Sequence, residues 1–372
     1  MNNKKRPMKR RWKILLTCLS VLLLPVLILT ILLLSWSPGT ITPFLDEDGE
    51  ILPDSIAEKV HVEINGVTQG MIIRGSNINN PVLLFVHGGP AMPEYSLWDY
   101  YGSPLEDIFT VCWWDQRGAG LSYDAGLAAE DITLEHLVAD AVGVTNYLRE
   151  RFGQDKVYLM AHSWGTVPGI YTAQAAPELY HAYIGMSQIT GMPGMTDIIV
   201  DYMTDQYRQQ GNDKMAKKLE NAVENGTFSG SSLRDKAMHE LGVGTTRDMD
   251  SVITGFFLPS WQCRSYTLKE KINLWQGRFG GTSHGLSVNT SVDLTKAIPK
   301  LEIPAYFISG SYDYTVYYGY SQIYLEKLEA PVKGFYTFAE SAHSPLFEEP
   351  DKATLILRED VLTGHITHAD KQ

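Results

Sequence analysis

Three residues that lie far apart in the sequence have the side chains that acyl transfer by a serine requires: Ser163, Asp313 and His343. A serine hydroxyl becomes nucleophilic at neutral pH when a histidine accepts its proton and a carboxylate orients that histidine. Ser163 follows the strand-forming run KVYLMAH, Asp313 ends AYFISGSYD, and His343 ends GFYTFAESAH. Each residue therefore comes at or just after the end of a predicted strand, and such strand ends collect at one edge of an open α/β sheet.

The residues that flank the serine are small, Ala161 on one side and Gly165 on the other. A nucleophile on a sharp strand-to-helix turn needs small neighbours because the helix packs close to the strand. The alternative, a serine that caps a helix, explains Ser163 but not the two small flanks. We therefore interpret Ser163 as the nucleophile, with His343 as its base. His162 is expected to point away from the reacting groups and to pack.

A glycine-rich segment, VHGGPAMPE at 86–94, is expected to bind the negative charge that develops on a substrate oxygen. Its glycines let backbone amides approach a ligand closely. One predicted donor is the N–H of Trp164, the residue after the nucleophile, and the other is the N–H of Gly89, which we favour over Gly88. No spacing of Cys, His or acidic residues suggests a metal site, and we predict no cofactor.

Strand-forming runs alternate with amphipathic helical patterns on both sides of these residues. This alternation predicts an α/β fold, with a mostly parallel central sheet and helices on both faces. Between residues 191 and 297 the pattern changes to polar helical segments without strand runs, which predicts an inserted helical cap. The core then consists of residues 56–190 and 298–372.

The N-terminal part of the chain predicts a transmembrane helix. Residues 14–36 carry no charge, and about 20 apolar residues span the hydrocarbon core of a bilayer. Residues 1–13 contain seven Lys and Arg and no acid, so we expect this basic segment in the cytoplasm and the rest outside. A cleaved signal peptide is the alternative, but its apolar region is typically about 7–15 residues long. Residues 37–55, rich in Pro, Gly and acids, are expected to form a linker.

The remainder of the chain is acidic. The formal net charge is -12, and residues 14–372 alone carry -19 because the first 13 residues contribute +7. Nucleic-acid binding needs a basic face, so we expect no nucleic-acid partner. The expected partners are a small-molecule or short-peptide substrate and the lipid bilayer, and the oligomeric state is left open. The cysteines give no disulfide framework; Cys112 is expected to be a buried apolar residue, and a bridge from Cys112 to Cys263 is left open.

Five motifs follow one another along the chain: HGGP (87–90), WDQRGAGLS (114–122), AHSWGT (161–166), SGSYD (309–313) and SAHSPLFEEP (341–350). With these motifs the sequence resembles the proline iminopeptidase-like (peptidase S33-type) branch of the α/β-hydrolase superfamily. The resemblance covers about residues 58–190 and 300–355. It implies the α/β-hydrolase fold, in which the order along the chain is Ser, Asp, His.

The resemblance also implies site residues. Its triad maps onto Ser163, Asp313 and His343, and its oxyanion donors map onto Gly89 and Trp164. The DQRG segment is expected to be structural, with Asp115 paired to Arg117 beside the site.

The sequence departs from the family pattern in the elements that bind substrate. The usual HGGPG and GGSWG are HGGPA and AHSWG here, and the segments LPSWQCRSY and INLWQGRFGG lack the acid of the family's WxxWE. We predict a membrane-anchored, extracytoplasmic serine hydrolase that forms an acyl-enzyme and cleaves N-terminal peptide bonds or small esters and amides. The alternatives are carboxylesterase-like, lipase-like or acyltransferase activity on a non-peptide substrate, or a non-catalytic binding protein with this fold.

Overall fold

The computed structural model describes residues 7–280 and 292–371 and contains eight strands of one sheet. In chain order they are β1 Ile56–Ile64, β2 Val67–Gly75, β3 Val82–Val86, β4 Thr110–Trp114, β5 Val157–His162, β6 Tyr180–Met186, β7 Ala305–Gly310 and β8 Lys333–Phe338. Their order across the sheet is β1-β2-β4-β3-β5-β6-β7-β8. The first two pairings, β1 with β2 and β2 with β4, are antiparallel, and all the others are parallel. The predicted mostly parallel sheet is therefore confirmed.

The helices lie before, between and after these strands along the chain. They are α1 Pro7–Ser35, α2 Tyr95–Tyr101, α3 Leu134–Phe152, α4 Thr166–Ala175, α5 Met195–Gln209, α6 Asp213–Glu224, α7 Ser232–Glu240, α8 Leu258–Gln262, α9 Leu268–Phe279, α10 Leu294–Ala297, α11 Tyr318–Lys327, α12 Pro345–Glu348 and α13 Pro350–Ile356. One hydrophobic cluster joins the sheet to α3, α4 and α11. Another joins it to α2 and α13. Both faces of the sheet are thus covered, as its fully buried parallel strands require.

The strands and helices begin and end where local chemistry dictates. Asn65 and Gly66 both have positive φ, 51° and 75°, which is the conformation of the tight turn that joins two twisted antiparallel strands. Helix α3 begins after Thr133, whose hydroxyl accepts a hydrogen bond from the backbone N–H of His136. It ends at Gly153, which adopts the left-handed conformation common at helix C-termini.

Helices α5 to α10 lie between β6 and β7 in the sequence, and α5, α6 and α7 share a hydrophobic cluster. It contains Met203 and Tyr207 of α5, Leu219 of α6 and Met238 of α7. No strand of the sheet falls in the described part of this segment. The limits of the predicted cap, 191–297, stay a prediction.

Helix α1 has an apolar stretch, Trp12–Ser35, with a mean hydropathy of 2.8. It is long enough to cross a membrane, and its large apolar side chains are exposed. Of the predicted basic segment, Lys4, Lys5 and Arg6 lie outside the described residues. The helix ends at Ser35, one residue before the predicted end of the span.

The end of α1 is bound to the segment around the start of α9. The Lys271 ammonium donates hydrogen bonds to the carbonyl oxygen of Trp36 at 2.7 Å and the Ser37 hydroxyl at 3.1 Å. Its third acceptor is the carbonyl oxygen of Trp261 at 2.6 Å. Lys271 is buried, and burial lowers its pKa to about 8. The first residues of the predicted linker are therefore held by the folded domain.

The cysteines form no disulfide. Cys112 and Cys263 are both buried and free, so the bridge that the sequence left open is not formed. Burial raises the pKa of the Cys263 thiol to about 12. Cys112 belongs to β4, and its side chain packs in a hydrophobic core. The interpretation of Cys112 as a buried apolar residue is confirmed.

Candidate active site

Ser163 lies on a sharp turn at the carboxyl end of β5. Its φ is 52°, a left-handed conformation that is uncommon for any residue other than glycine and that marks a strained backbone. A short 3₁₀ turn, Ser163–Gly165, leads directly into α4. Strand, strained serine and helix in immediate succession are the geometry of a nucleophile elbow.

The residues around Ser163 are small because backbone and side chains approach them closely. A Cβ atom at Gly165 would lie 2.3 Å from the carbonyl oxygen of His87 and 2.4 Å from that of Val86, so only glycine fits there. On the other side of the turn, a Cβ atom at Gly169 would lie 2.7 Å from the Cβ of Ala161. The absent side chain of Gly169 leaves the space that the methyl group of Ala161 fills.

His343 and Asp313 form a hydrogen-bonded pair. The distance between His343 Nδ1 and Asp313 Oδ2 is 2.9 Å. The other carboxylate oxygen of Asp313 accepts the backbone N–H groups of Thr315 and Val316 at 2.9 and 2.8 Å. Because the carboxylate accepts a hydrogen bond from Nδ1–H, the Nε2 atom of a neutral His343 has a free lone pair. The pair has the arrangement of a base and the acid that orients it.

The two loops that carry this pair follow neighbouring strands, β7 and β8. The backbone of His343 is fixed from three sides: its N–H donates to the carbonyl oxygen of Gly244, between α7 and α8, at 3.2 Å, and its own carbonyl oxygen accepts from His162 and Ser187. Ser187 resembles Ser163 in having φ of 52° directly after a strand. It is fully buried, however, and its hydroxyl donates to His343 at 3.1 Å.

In the glycine-rich segment after β3, one of two neighbouring backbone N–H groups has a hydrogen-bond acceptor and the other does not. The Gly88 N–H donates to Glu94 Oε1 at 2.7 Å. The Gly89 N–H has no acceptor among the described residues. Trp164 lies in the first turn after β5, where helical amides have no partner within the helix. The Gly88 amide is thus occupied and the Gly89 amide is not; the assignment of Gly89 and Trp164 as oxyanion donors stays a prediction.

Glu94 and His162 form a buried ion pair that the sequence did not predict. His162 Nδ1 lies 2.8 Å from Glu94 Oε2, and Nε2 lies 2.9 Å from the carbonyl oxygen of His343. Both partners are acceptors, so both ring nitrogens must donate, which makes His162 an imidazolium. Burial alone would lower the pKa of His162, but the Glu94 carboxylate outweighs burial and raises it. His162 is buried, as expected, but it also forms an ion pair, which the expectation of packing did not include.

The DQRG segment is structural, but the predicted pair within it does not form. Arg117 binds Asp140 of α3 through two nitrogens, at 2.6 and 2.8 Å. Asp115 instead accepts the backbone N–H of Leu121 at 2.7 Å. Two residues that are two positions apart need not face each other in a turn, and the side chain of Arg117 points to α3 instead. Burial raises the pKa of Asp115 to about 8.

Ser163, His343 and Gly89 line one cavity of about 420 Å³. Its walls are largely apolar and include Met92, Leu97, Phe256, Phe257 and Trp275. Its charged lining residues are Glu94, His162, Arg234, Asp235 and Arg278. A cavity of this size and lining is typical of a site for a small ligand. Among the described residues, no group of three His, Cys, Asp or Glu is placed to hold a metal ion.

Comparison with known proteins finds similar sequences among aminopeptidases, proline iminopeptidases and epoxide hydrolases. The profile of the α/β-hydrolase fold family matches residues 81–350. The chain is 29% identical over 324 residues to the "Probable aminopeptidase YbaC" of Bacillus subtilis (strain 168), covering 84% of this chain and 98% of that protein. It is 23% identical to a proline iminopeptidase of Saccharolobus solfataricus, with 77% and 86% covered.

Solved structures agree with the fold. A proline iminopeptidase-related protein from Thermus thermophilus superposes with a TM-score of 0.56, over 82% of this chain and 98% of that one. The two sequences are 19% identical. At that identity the likeness concerns the fold alone.

Proposed function

This chain belongs to the α/β-hydrolase family and is a hydrolase similar in sequence to aminopeptidases and proline iminopeptidases, and from this premise we propose that it is a membrane-anchored serine hydrolase. The observation that carries the proposal is that Ser163, strained at the end of β5, and His343, bound to Asp313, line the same cavity. A serine at position 163 also distinguishes the chain from proteins of this fold whose reaction needs a carboxylate as the nucleophile.

The proposed reaction has two steps. His343 Nε2 takes the proton of the Ser163 hydroxyl as its oxygen attacks the substrate carbonyl, and the imidazolium passes that proton to the leaving group. The N–H groups of Gly89 and Trp164 stabilise the oxyanion, and each such donor is worth about 10²–10³ in rate. Water, deprotonated by the same histidine, then attacks the acyl-enzyme and releases the acid. Asp313 keeps His343 in the productive tautomer throughout.

The charged groups of the cavity favour small esters or amides over peptides with a free amino terminus. Binding an ammonium group requires a carboxylate that is not already paired. Glu94 uses one oxygen for the Gly88 amide and the other for His162. Asp235 lies 3.4 Å from the Arg234 guanidinium. Glu94 is therefore not available to a substrate amine, and the positive charge of Arg234 beside Asp235 disfavours a second cation there, whereas the aromatic wall suits an apolar acyl or aryl group.

The proposed location rests on α1. Its exposed apolar stretch, Trp12–Ser35, has the length and composition of a membrane span, and the basic residues that precede it favour a cytoplasmic N-terminus. The two helices that contribute Trp261 and Lys271 to the contact with Trp36 also carry large exposed apolar side chains, Leu258 of α8 and Ile272 of α9. An apolar surface beside the end of a membrane helix suits a domain that rests near the bilayer. In this arrangement the hydrolase core, 56–190 and 298–372, and the cap, 191–297, lie outside the cytoplasm.

A fluorophosphonate probe tests the serine chemistry. We expect the full chain in detergent to be labelled and its Ser163→Ala variant to remain unlabelled. Ser344 lines the same cavity, so Ser344→Ala is a matched control that keeps the label. Labelling of the Ser163→Ala variant, or none of the parent, would refute the proposed nucleophile.

Substrate class is tested by comparing short-chain aryl esters with proline arylamide. Faster turnover of the esters, with no dependence on a free amine, is the expected result. A strict requirement for an amino-terminal proline would instead make the protein an iminopeptidase.

A further inference from the structure

Two arginines from different helices face the cavity that contains Ser163. Arg234 belongs to α7 and Arg278 to α9. Both side chains are partly withdrawn from solvent, and burial lowers the pKa of each guanidinium. Charged groups in a largely apolar cavity are costly unless they are paired. The anions available to these two guanidinium groups therefore decide what else the cavity can bind.

Among the described residues, Arg234 has only long contacts. Its Nη1 lies 3.4 Å from Asp235 Oδ1, and its Nη2 lies 3.4 Å from the carbonyl oxygen of Thr315. Good N–H···O hydrogen bonds have donor–acceptor distances of about 2.9–3.0 Å. A guanidinium has five N–H donors, so most of the binding capacity of Arg234 is unused.

Arg278 has no counter-ion among the described residues. Within these ranges it forms no ion pair or hydrogen bond with a side chain, and the only carboxylate that acts on it electrostatically is Asp235. The adjacent residues 281–291 contain no Asp or Glu, so they have no carboxylate to offer it. One aspartate of the lining thus faces two arginines, while Glu94 is neutralised by His162. Asp313 also acts electrostatically on Arg234, but it is bound to His343 and does not line the cavity, so the lining itself carries an excess positive charge.

We propose that Arg278, with Arg234 beside it, is an anion-binding subsite, and that the preferred substrates are esters or amides that carry a carboxylate. This inference rests on the proposed hydrolase function and specifies its substrate class. A guanidinium binds a carboxylate through two parallel hydrogen bonds, and such charge-assisted bonds are stronger than neutral ones. The aromatic side chains of Trp275 and Phe279 beside Arg278 pack against the apolar part of the same molecule.

Arg278 is the more informative of the two residues to change. Arg234 also contacts the loop of Thr315, whose N–H binds Asp313, so its substitution would disturb the proposed triad as well. No such contact of Arg278 is found in the described part of the chain. The Arg278→Gln variant therefore removes the charge alone, and Arg278→Lys keeps the charge without the planar, two-pronged donor.

Matched ester pairs provide the kinetic test. The acyl-side pair is the 4-nitrophenyl ester of adipic acid, with its second carboxylate free, against the same compound methylated at that carboxylate. The leaving-group pair is 4-acetoxybenzoate against its methyl ester. In one of these pairs we expect the full chain to prefer the anion by about 10–100-fold in kcat/KM. The pair that shows the preference places the subsite on the acyl or the leaving-group side.

The variants determine whether Arg278 is the cause. Arg278→Gln should abolish the preference by lowering kcat/KM on the anionic ester more than on its neutral partner, and Arg278→Lys should retain part of the preference. Equal rates on both members of each pair, or equal loss on both in Arg278→Gln, would overturn the subsite.

A binding measurement separates this inference from the serine chemistry. Calorimetric titration of the Ser163→Ala protein with 4-phenylbutyrate should show binding that is at least about tenfold tighter than that of 4-phenylbutyramide, and Arg278→Gln should remove the difference. If the parent fails to react with the fluorophosphonate but this difference is present, the nucleophile is wrong and the subsite stands. If the parent reacts and the difference is absent, only the subsite fails.

Discussion

Glu94 and His162 are 68 positions apart in the sequence, yet their side chains meet at 2.8 Å behind the candidate nucleophile. Glu94 also binds the Gly88 amide, and His162 also binds the backbone of His343. The pair thus joins the segment that carries Gly89 to the loop that carries His343. It positions two parts of the proposed site relative to each other without contacting the reacting atoms.

The first prediction concerns this bridge. Glu94→Ala should lower kcat on an aryl ester by about 10–100-fold, since a buried imidazolium and the Gly88 amide both lose their acceptor. Glu94→Gln should retain most of the rate, because its amide can accept from Gly88 and donate to a neutral His162. Steady-state kinetics on the two purified variants checks the difference. Equal losses in both would mean that the bridge does not act by position.

A second prediction concerns the tautomer of His343. In Asp313→Asn an amide N–H replaces the acceptor at His343 Nδ1, so the proton should move to Nε2 and the base is lost. We expect the turnover rate to fall by about 10³–10⁴-fold, while the thermal unfolding temperature changes little. Asp351→Asn, on the surface of α13, is the control and should keep the parental rate. A fall of less than about tenfold in Asp313→Asn would contradict the proposed role.

A third prediction tests the packing of the elbow. Gly165→Ala should destabilise the protein by about 1–3 kcal/mol, and abolish fluorophosphonate labelling, because the added methyl group meets the carbonyl oxygens after β3. Ala161→Gly restores the residue that is usual in the family and should cost about 1 kcal/mol or less, with labelling retained. Denaturant unfolding and probe labelling measure both effects. Full labelling of Gly165→Ala would show that the turn has more room than the distances allow.

A fourth prediction follows from Asp115. Its pKa is raised from 3.8 to about 8 by burial, so the folded state holds a proton that the unfolded state releases above pH 3.8. The free energy of unfolding should therefore decrease as the pH rises from 3.8 to about 8, by up to about 1.4 kcal/mol per pH unit from this group, and then level off. Asp115→Asn keeps an acceptor for Leu121 and should show a smaller decrease between about pH 6 and 8. Denaturant titrations at several pH values would reveal an unchanged slope if the group stays ionised.

The sequence was sufficient to predict the residues that follow strands. Ser163, Asp313 and His343 each come after a run of strand-forming residues, and parallel strands bring such ends to one edge whatever the details of packing. Gly89 could be preferred over Gly88 only weakly from the motif. The structure supplies the reason for that preference, since Glu94 occupies the other amide.

Side-chain partners were harder to predict because they depend on how distant segments pack. Arg117 was assigned to Asp115, two residues away, but it pairs with Asp140 of α3. The role of His162 depends on Glu94, and the proposed role of Arg278 depends on the orientation of α9. Neither relationship can be inferred from the local sequence. A buried histidine beside a nucleophile is a signal that would have justified a search for a distant acid.

The contact of Lys271 with Trp36 fixes how far the domain stands from the end of α1. A flexible linker would let a domain move over a wide range of distances from the membrane that anchors it. Here the buried Lys271 ammonium binds the chain immediately after α1. The domain is therefore held directly at the end of α1. If α1 lies in a bilayer, as proposed, this contact holds the cavity near the membrane, and we expect substrates that collect at the membrane surface to be favoured over those in bulk solution.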